Sequence, residues 1–417
     1  MPALRFEYIP YPLWRRRMPM PLKPLARALL RHIYPLDAEA HPPQTAAAQA
    51  AYLRRCRLLP LGMTQSEAET LLERESVHVE APREAQPDAH ARPVRLPAQW
   101  EPLERVLLAF PVLYPPLWAQ HARMIAAISH TAAVTVLLPS AAWARVIAVY
   151  LRMHHAFRAE RIEWLLLPTD DIWIRDYGPF VGFDAQGQRA AVDAVYQPLA
   201  QYPQTRDDAA AGVWAAYAGL PSRRFDFATE GGNYWSDGAG TLLVSDEMLV
   251  RYPQLSIAEI ERRLREVFIF DKLIMLPRLL MEETGHVDLV CKLIDAETVL
   301  VSAPSGGIND DRLRTAAALL RRETNARGQR YRVHLLPMPP MQRNWWVYPV
   351  WRSYTNSLTV NGRILVPVFG IGQDMQALDV YRQAAPKQEI IPIDCRAGAY
   401  GGGAVHCLTR EIPAADG

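Results

Sequence analysis

The chain has 417 residues, half of them apolar and 22% charged, with a formal net charge of +2. That is the composition of a folded soluble protein able to bury one large core or two modest ones, and it gives no bulk charge for holding nucleic acid. No apolar run reaches the length of a bilayer span, and prolines break the stretch after Arg15, Arg16 and Arg17 before a secretory signal could form. A cytoplasmic protein with neither a membrane nor a nucleic-acid partner is expected.

Residues 1–90 read as a mostly helical extension and linker. Short helices are expected over 25–33, 47–59 and 66–74, the last with Ser66 as a cap, and 82–97 reads as a solvated linker. Residues 91–417 form the main domain, in which short apolar strands alternate with helices. Strands at 106–110, 133–138 and 162–167 enclose helices at 118–129 and 142–155. Further strands are expected at 241–245, 272–276, 289–293, 299–302 and 331–336, with helices at 257–266 and 310–322. The tail supplies strands at 357–360, 364–367 and 388–393 and a helix at 375–384. This is α/β organisation, with a strand pair and a helix recurring every roughly 60–70 residues.

The polar segments that stand out sit where strands end, each with glycine nearby. They are Trp173 to Pro179 with Asp176, the turn Glu230-Gly231-Gly232-Asn233-Tyr234, the triplet His286-Val287-Asp288 after Gly285, and Gly401-Gly402-Gly403-Ala404-Val405-His406-Cys407. Taken singly, each has an ordinary structural reading. Asp176 could pair with Arg175, Glu230 could cap its glycine turn, a lone histidine is more often structural, and Cys407 could be a small buried apolar residue. Together they are the parts that hold a flat cation and attack its carbon. Carboxylates in plane and an aromatic wall, Trp173, suit a guanidinium. On an extended strand His286 and Asp288 would share a face, whereas His406 would point away from Cys407, so His286 is the expected proton carrier for the thiol.

The four cysteines, Cys56, Cys291, Cys395 and Cys407, form no C-x-x-C pair, and the histidines lack short zinc spacings. No metal and no organic cofactor is expected, and Cys407 reads as a free thiol.

Several ordered stretches carry a resemblance: Leu96 to Pro102, Trp173 to Pro179, Glu230 to Tyr234, Gly285 to Asp288, Tyr354-Thr355-Asn356-Ser357, Val366 to Gly370 and Gly401 to Cys407. Over residues 95–413 the chain resembles the agmatine deiminase and Porphyromonas-type peptidylarginine deiminase family of the guanidine-modifying superfamily. The resemblance implies a five-bladed, pseudo-symmetric α/β propeller of ββαβ units with a central site. It implies Cys407 as nucleophile, His286 as acid and base, Asp176, Glu230 and Asp288 as guanidinium-binding carboxylates, and Trp173 as a wall beside the substrate. The reaction would be hydrolysis of a guanidinium through a covalent thiouronium, releasing ammonia and a ureido product.

Two substrate readings stay open. The stretch Tyr196 to Tyr202 carries no arginine until Arg206, where the peptidylarginine type has arginines that meet a carboxylate; this favours agmatine or another small guanidine. Tyr177 and Trp235, where the agmatine branch commonly has Thr and His, favour an arginine in a peptide or as the free amino acid. An amidinotransferase and a non-catalytic guanidine-binding protein are the remaining alternatives.

Overall fold

The computed structural model describes residues 41–82, 92–198, 204–344 and 348–415. The expected helix at 25–33 and the basic cluster at 15–17 lie outside them. Helix α1 (Ala46–Arg55) lies in the expected 47–59 stretch but ends at Arg55, with Cys56 as its cap. Helix α2 (Gln65–Arg74) starts from Thr64 and not from the expected Ser66. The Thr64 side chain accepts from Glu67 N, and Glu67 returns a carboxylate to the Thr64 N–H at 2.7 Å. Thr64 and Ser66 both have a glutamate three residues on, so the sequence offers two overlapping capping boxes and the first is used. Tyr52 on α1 sets its ring edge against Trp143 and donates its hydroxyl to Val112 O at 2.6 Å, so these helices share the core of the first sheet.

The expected linker at 82–97 is partly overturned. From residue 92 the chain is a buried strap: Val94 N donates to Val267 O and Arg95 N to Phe183 O, at 2.9 and 2.8 Å. Val94 is wholly buried. Apolar side chains at 94 and 96 alternate as a half-buried strand requires.

Five sheets of three or more strands follow, and the second to fifth run strand, strand, helical crossover, strand. In the first, β1 (Leu103–Ala109), β2 (Ala133–Leu138) and β3 (Ile162–Leu166) run parallel. Two helices cross over between them, α3 (Pro115–Ser129) and α4 (Ala142–His154). Helix α5 (Ile174–Tyr177) leads into the second sheet, where β4 (Phe180–Phe183) pairs antiparallel with β5 (Arg189–Ala194) and helix α6 (Thr205–Tyr217) crosses to the parallel β6 (Ser222–Phe225). The third has β7 (Trp235–Ser236), β8 (Thr241–Ser245), helices α7 (Glu247–Arg251) and α8 (Ile257–Leu264), and β9 (Lys272–Leu276).

The fourth sheet comprises β10 (Cys291–Leu293), β11 (Thr298–Ser302), helix α9 (Asp310–Arg322) and β12 (Arg332–Leu336). A hairpin, β13 (Gln342–Asn344) and β14 (Tyr348–Val350), then precedes the fifth: β15 (Leu358–Val360), β16 (Arg363–Val368), helix α10 (Gln373–Ala384) and β17 (Glu389–Asp394). After α11 (Arg396–Ala399) the last strand, β18 (Arg410–Pro413), returns to pair antiparallel with β1, so the chain's end completes its first sheet. The fold is mixed α/β, and each sheet is open.

The second unit escaped the sequence reading. Its strands are short, one is interrupted by Gly182, and α6 is alanine-rich with no clear apolar stripe. No described helix is long and apolar enough to cross a membrane.

The site residues lie on the connections between successive sheets. Trp173 and Asp176 join the first to the second, Glu230 the second to the third, and His286 and Asp288 the third to the fourth. Asn356 lies before the fifth, and Cys407 lies where the fifth returns to the first.

Candidate active site

Each connection turns tightly before its strand begins, which brings a polar side chain up to the neighbouring connection. Glu230 precedes a single 3-10 turn, Gly231–Asn233. Asn233 Oδ1 accepts from Ser245 N at 2.9 Å and from Val287 N at 3.2 Å, which ties the Glu230 segment to the His286 segment. Arg175, only 2% exposed, forks onto Glu411, one contact at 3.0 Å, and donates from Nε to His406 O at 3.2 Å. The residue beside Asp176 therefore fastens its segment to the one that carries Cys407. The alternative of an Arg175–Asp176 pair is not what the structure shows.

Two local expectations are corrected. His286-Val287-Asp288 is not an extended strand: Val287–Leu289 is a 3-10 turn with His286 at its start. At about three residues per turn the two side chains diverge instead of sharing a face. His406–Leu408 is also a 3-10 turn, so His406 does not point away from the site. Its Nδ1 lies 2.7 Å from Asp288 Oδ2. Burial and the cations of Arg175, Lys292 and Arg410 hold the His406 imidazole well below its usual pKa, so it is neutral and donates that proton to Asp288.

Around His286 the geometry is that of a charged pair. Nε2 lies 2.7 Å from Glu230 Oε2 and Nδ1 lies 3.5 Å from Asp176 Oδ1. Burial alone would lower the imidazole's pKa, but the charges of Asp176 and Glu230 outweigh it and lift it to about 10. Glu230 is itself held down to about 2: burial opposes this, and Arg251 and His286 overcome it. Its second oxygen, Oε1, accepts from Arg251 Nη2 at 2.8 Å, so both Glu230 oxygens are already engaged by protein.

Asp176 and Asp288 sit differently. Burial raises them to about 6 and about 7, with the cation of His286 pulling the other way. Asp288 is fully buried; its Oδ2 accepts from Asn356 Nδ2 at 2.9 Å and from His406, while Oδ1 is buried with no partner among the described residues. Asn356 Nδ2 also reaches Cys407 Sγ at 3.0 Å, and its Oδ1 accepts from the N–H groups of Ala404 and Cys407. Sγ lies 3.7 Å from Asp288 Oδ2. Burial, then Asp288 and Asp176, push the Cys407 thiol well above its usual range.

Cys407, Asp176, Glu230 and Trp173 line one cavity, whose wall also includes Gly401–Gly403, Arg251 and, at its exposed edge, Glu283. The structure thus brings Cys407, His286, Asp176, Glu230, Asp288 and Trp173 into one neighbourhood. Asp176, Glu230 and His286 each place a ligand-type atom within 4.8 Å of the others. With both Glu230 oxygens taken by Arg251 and His286, that triad is a hydrogen-bonded charge network more than a set of open metal donors.

Sequence reasoning gave no role to Arg251, Asn356 or His406. Arg251 lies on α7, an unexpected helix. Asn356 lies in one of the stretches that carry the resemblance, but an amide has no titration to attract notice.

Gly232 shows how close the packing is. A Cβ there would stand 2.4 Å from His286 Nδ1 and 3.0 Å from Asp176 Oδ1. Gly232→Ala is expected to displace the imidazole and cost about 100-fold in kcat/KM, with the folded secondary structure unchanged by circular dichroism. A variant within threefold of wild type would show that His286 need not hold this position.

The Porphyromonas-type peptidyl-arginine deiminase family model matches residues 95–413. Agmatine deiminase of Pseudomonas aeruginosa (strain LESB58) is 31% identical over 359 residues, covering 77% of this chain and 95% of the relative. That of Stutzerimonas stutzeri (strain A1501) is also 31% identical, covering 76% and 95%. Among solved structures, Enterococcus faecalis agmatine deiminase superposes with a TM-score of 0.69 at 25% identity, over 77% of this chain and 96% of that one. The "C. Jejuni" agmatine deiminase gives a TM-score of 0.66 over 77% of this chain and 97% of that one; at 19% identity it speaks to the fold alone. The chain belongs to the Porphyromonas-type peptidyl-arginine deiminase family and is a deiminase, a hydrolase of carbon–nitrogen bonds.

Proposed function

We propose that this protein hydrolyses the guanidinium of agmatine, giving N-carbamoylputrescine and ammonia, as a cytoplasmic enzyme. The observation that carries the reading is Asp288, whose Oδ2 lies 3.7 Å from Cys407 Sγ while its other oxygen, Oδ1, is buried with no partner among the described residues. A buried carboxylate oxygen without a donor is costly, and a guanidinium N–H supplies that donor. Asp288 and Asp176 would grip the cation, while Trp173 lies alongside. Glu230 acts as a positioning residue, because Arg251 and His286 occupy its oxygens.

Chemistry follows from charge. In the empty site the thiol is neutral. A bound guanidinium offsets Asp176 and Asp288, the anions that raise the thiol, and so favours the thiolate, the thiol's proton passing to bulk water. Sγ attacks the guanidinium carbon, and His286 hands a proton to the departing ammonia as the carbon–nitrogen bond breaks. The thiouronium that remains is attacked by water, whose proton passes to His286. Collapse of that adduct breaks the carbon–sulfur bond and leaves the ureido product. The succession of five sheets, the first completed by the chain's last strand, supports a propeller arrangement around this site, since every site residue comes from a connection between successive sheets.

The mouth of the cavity favours an amine-ended substrate. Glu282 and Glu283 line it, and its one arginine among the described residues, Arg251, is already paired with Glu230. A terminal ammonium is attracted there, and a carboxylate would meet like charge. In parallel assays of ureido product, agmatine is expected to exceed free arginine and short arginine peptides in kcat/KM by about 100-fold or more. A peptide or arginine turned over faster than agmatine would move the assignment to the arginine branch.

A further inference from the structure

One loop forms part of two cavities. Gly401–Gly403 face the site, while Ala399 and Tyr400 line a second cavity of about 570 Å³ beside α3. Gln120 of α3 fastens this loop at both ends: its Oε1 accepts from Gly398 N at 3.1 Å and its Nε2 donates to Ala404 O at 3.3 Å.

Among the described residues, the second cavity carries three arginines, Arg123, Arg352 and Arg396, against one aspartate, Asp394. Asp394 is bound by Arg396, with contacts down to 2.6 Å. Arg352 is only 6% exposed, yet it has no carboxylate partner among the described residues. It donates from Nη2 to Pro340 O at 3.0 Å and lies over the Phe369 ring at 5.5 Å, and its Nε is buried with no acceptor. The nearby Asp374 is spent elsewhere, accepting from Tyr354 Oη and from the N–H groups of Phe369, Gly370 and Ile371. Arg123, on the exposed face of α3, has no acidic partner among the described residues either.

A buried guanidinium with no carboxylate bonded to it is expensive, and planar forks lining one cavity from separate elements suit a phosphate. We propose that this cavity binds a small phosphate monoester, with Arg352 and Arg123 holding the phosphate and an organic body lying against Pro116, Ala119 and Phe369. The volume exceeds what a bare phosphate would fill. The apolar wall gives the remainder a place, and the loop shared with Cys407 lies directly alongside.

The test is titration calorimetry on the full chain at low ionic strength with adenosine 5′-monophosphate, inorganic phosphate and adenosine as probes. Binding is read without turnover, so its failure leaves the deiminase reading untouched, and Cys407→Ser should bind as wild type does. The monophosphate is expected to bind saturably and more tightly than phosphate, adenosine not at all. Arg352→Met and Arg123→Glu should each weaken the monophosphate by about tenfold or more. Arg352 is buried and its loss could disturb folding; Arg123 is exposed, so its variant keeps the test sharp. No saturable binding of either phosphate compound, equal binding of adenosine, or an unchanged affinity in Arg123→Glu would overturn the proposal.

Discussion

Cys407→Ser is expected to lower kcat/KM for agmatine by about 1,000-fold or more while leaving agmatine affinity within a few-fold of wild type. Sulfur is replaced by a smaller and much less acidic oxygen at an atom touched by Asn356 Nδ2 and lying near Asp288. The carboxylates proposed to grip the cation are untouched, so binding should persist. The chemical step should not. The resting thiol is held neutral by burial, Asp288 and Asp176, and in the proposed reaction it depends on the arriving cation to become a thiolate. A serine hydroxyl lies far outside the range in which that one charge could ionise it. Mass spectrometry of wild-type protein quenched during turnover should show an adduct on Cys407 that is absent from the variant. A variant rate within tenfold of wild type would mean that water attacks the guanidinium directly, and the covalent route would be abandoned.

Where local chemistry and topology agree, the sequence was readable. The helices over 310–322 and 142–154 and the strands over 133–138, 241–245 and 272–276 carry apolar patterns that their packing uses without change. The site segments were found because glycine and a charged or sulfur-bearing residue recur where each strand ends. What escaped was conformation decided at a distance. His286 to Asp288 shows strand-like spacing, but contacts from Asn233 and Thr355 draw it into a 3-10 turn. The same holds for His406, whose neutral imidazole props Asp288 in a place that no spacing rule suggests. Glu230 was legible as a site carboxylate, yet its use is set by Arg251, a residue 21 positions away on an unforeseen helix.

His286→Ala should cost about 100- to 10,000-fold in kcat/KM, the range that positioned acid–base groups supply, and its signature lies in the pH profile. Burial alone would keep this imidazole neutral; Asp176 and Glu230 reverse that and lift it to about 10. Wild-type kcat/KM should therefore fall as pH rises through that value, because the imidazolium proposed to protonate ammonia is lost. The alanine variant should lack that alkaline limb. Stability carries the same sign. A histidine whose folded pKa exceeds its unfolded value stabilises fully below about pH 6.5 and loses that contribution as pH climbs through the folded pKa. The Tm gap between wild type and His286→Ala should thus narrow from about pH 6 to about pH 10. The two readouts separate the roles: a residue that merely fills space would shift Tm equally at both ends and would leave the shape of the rate profile intact. A variant that keeps the alkaline limb would assign the titration to another group and remove His286 from proton transfer.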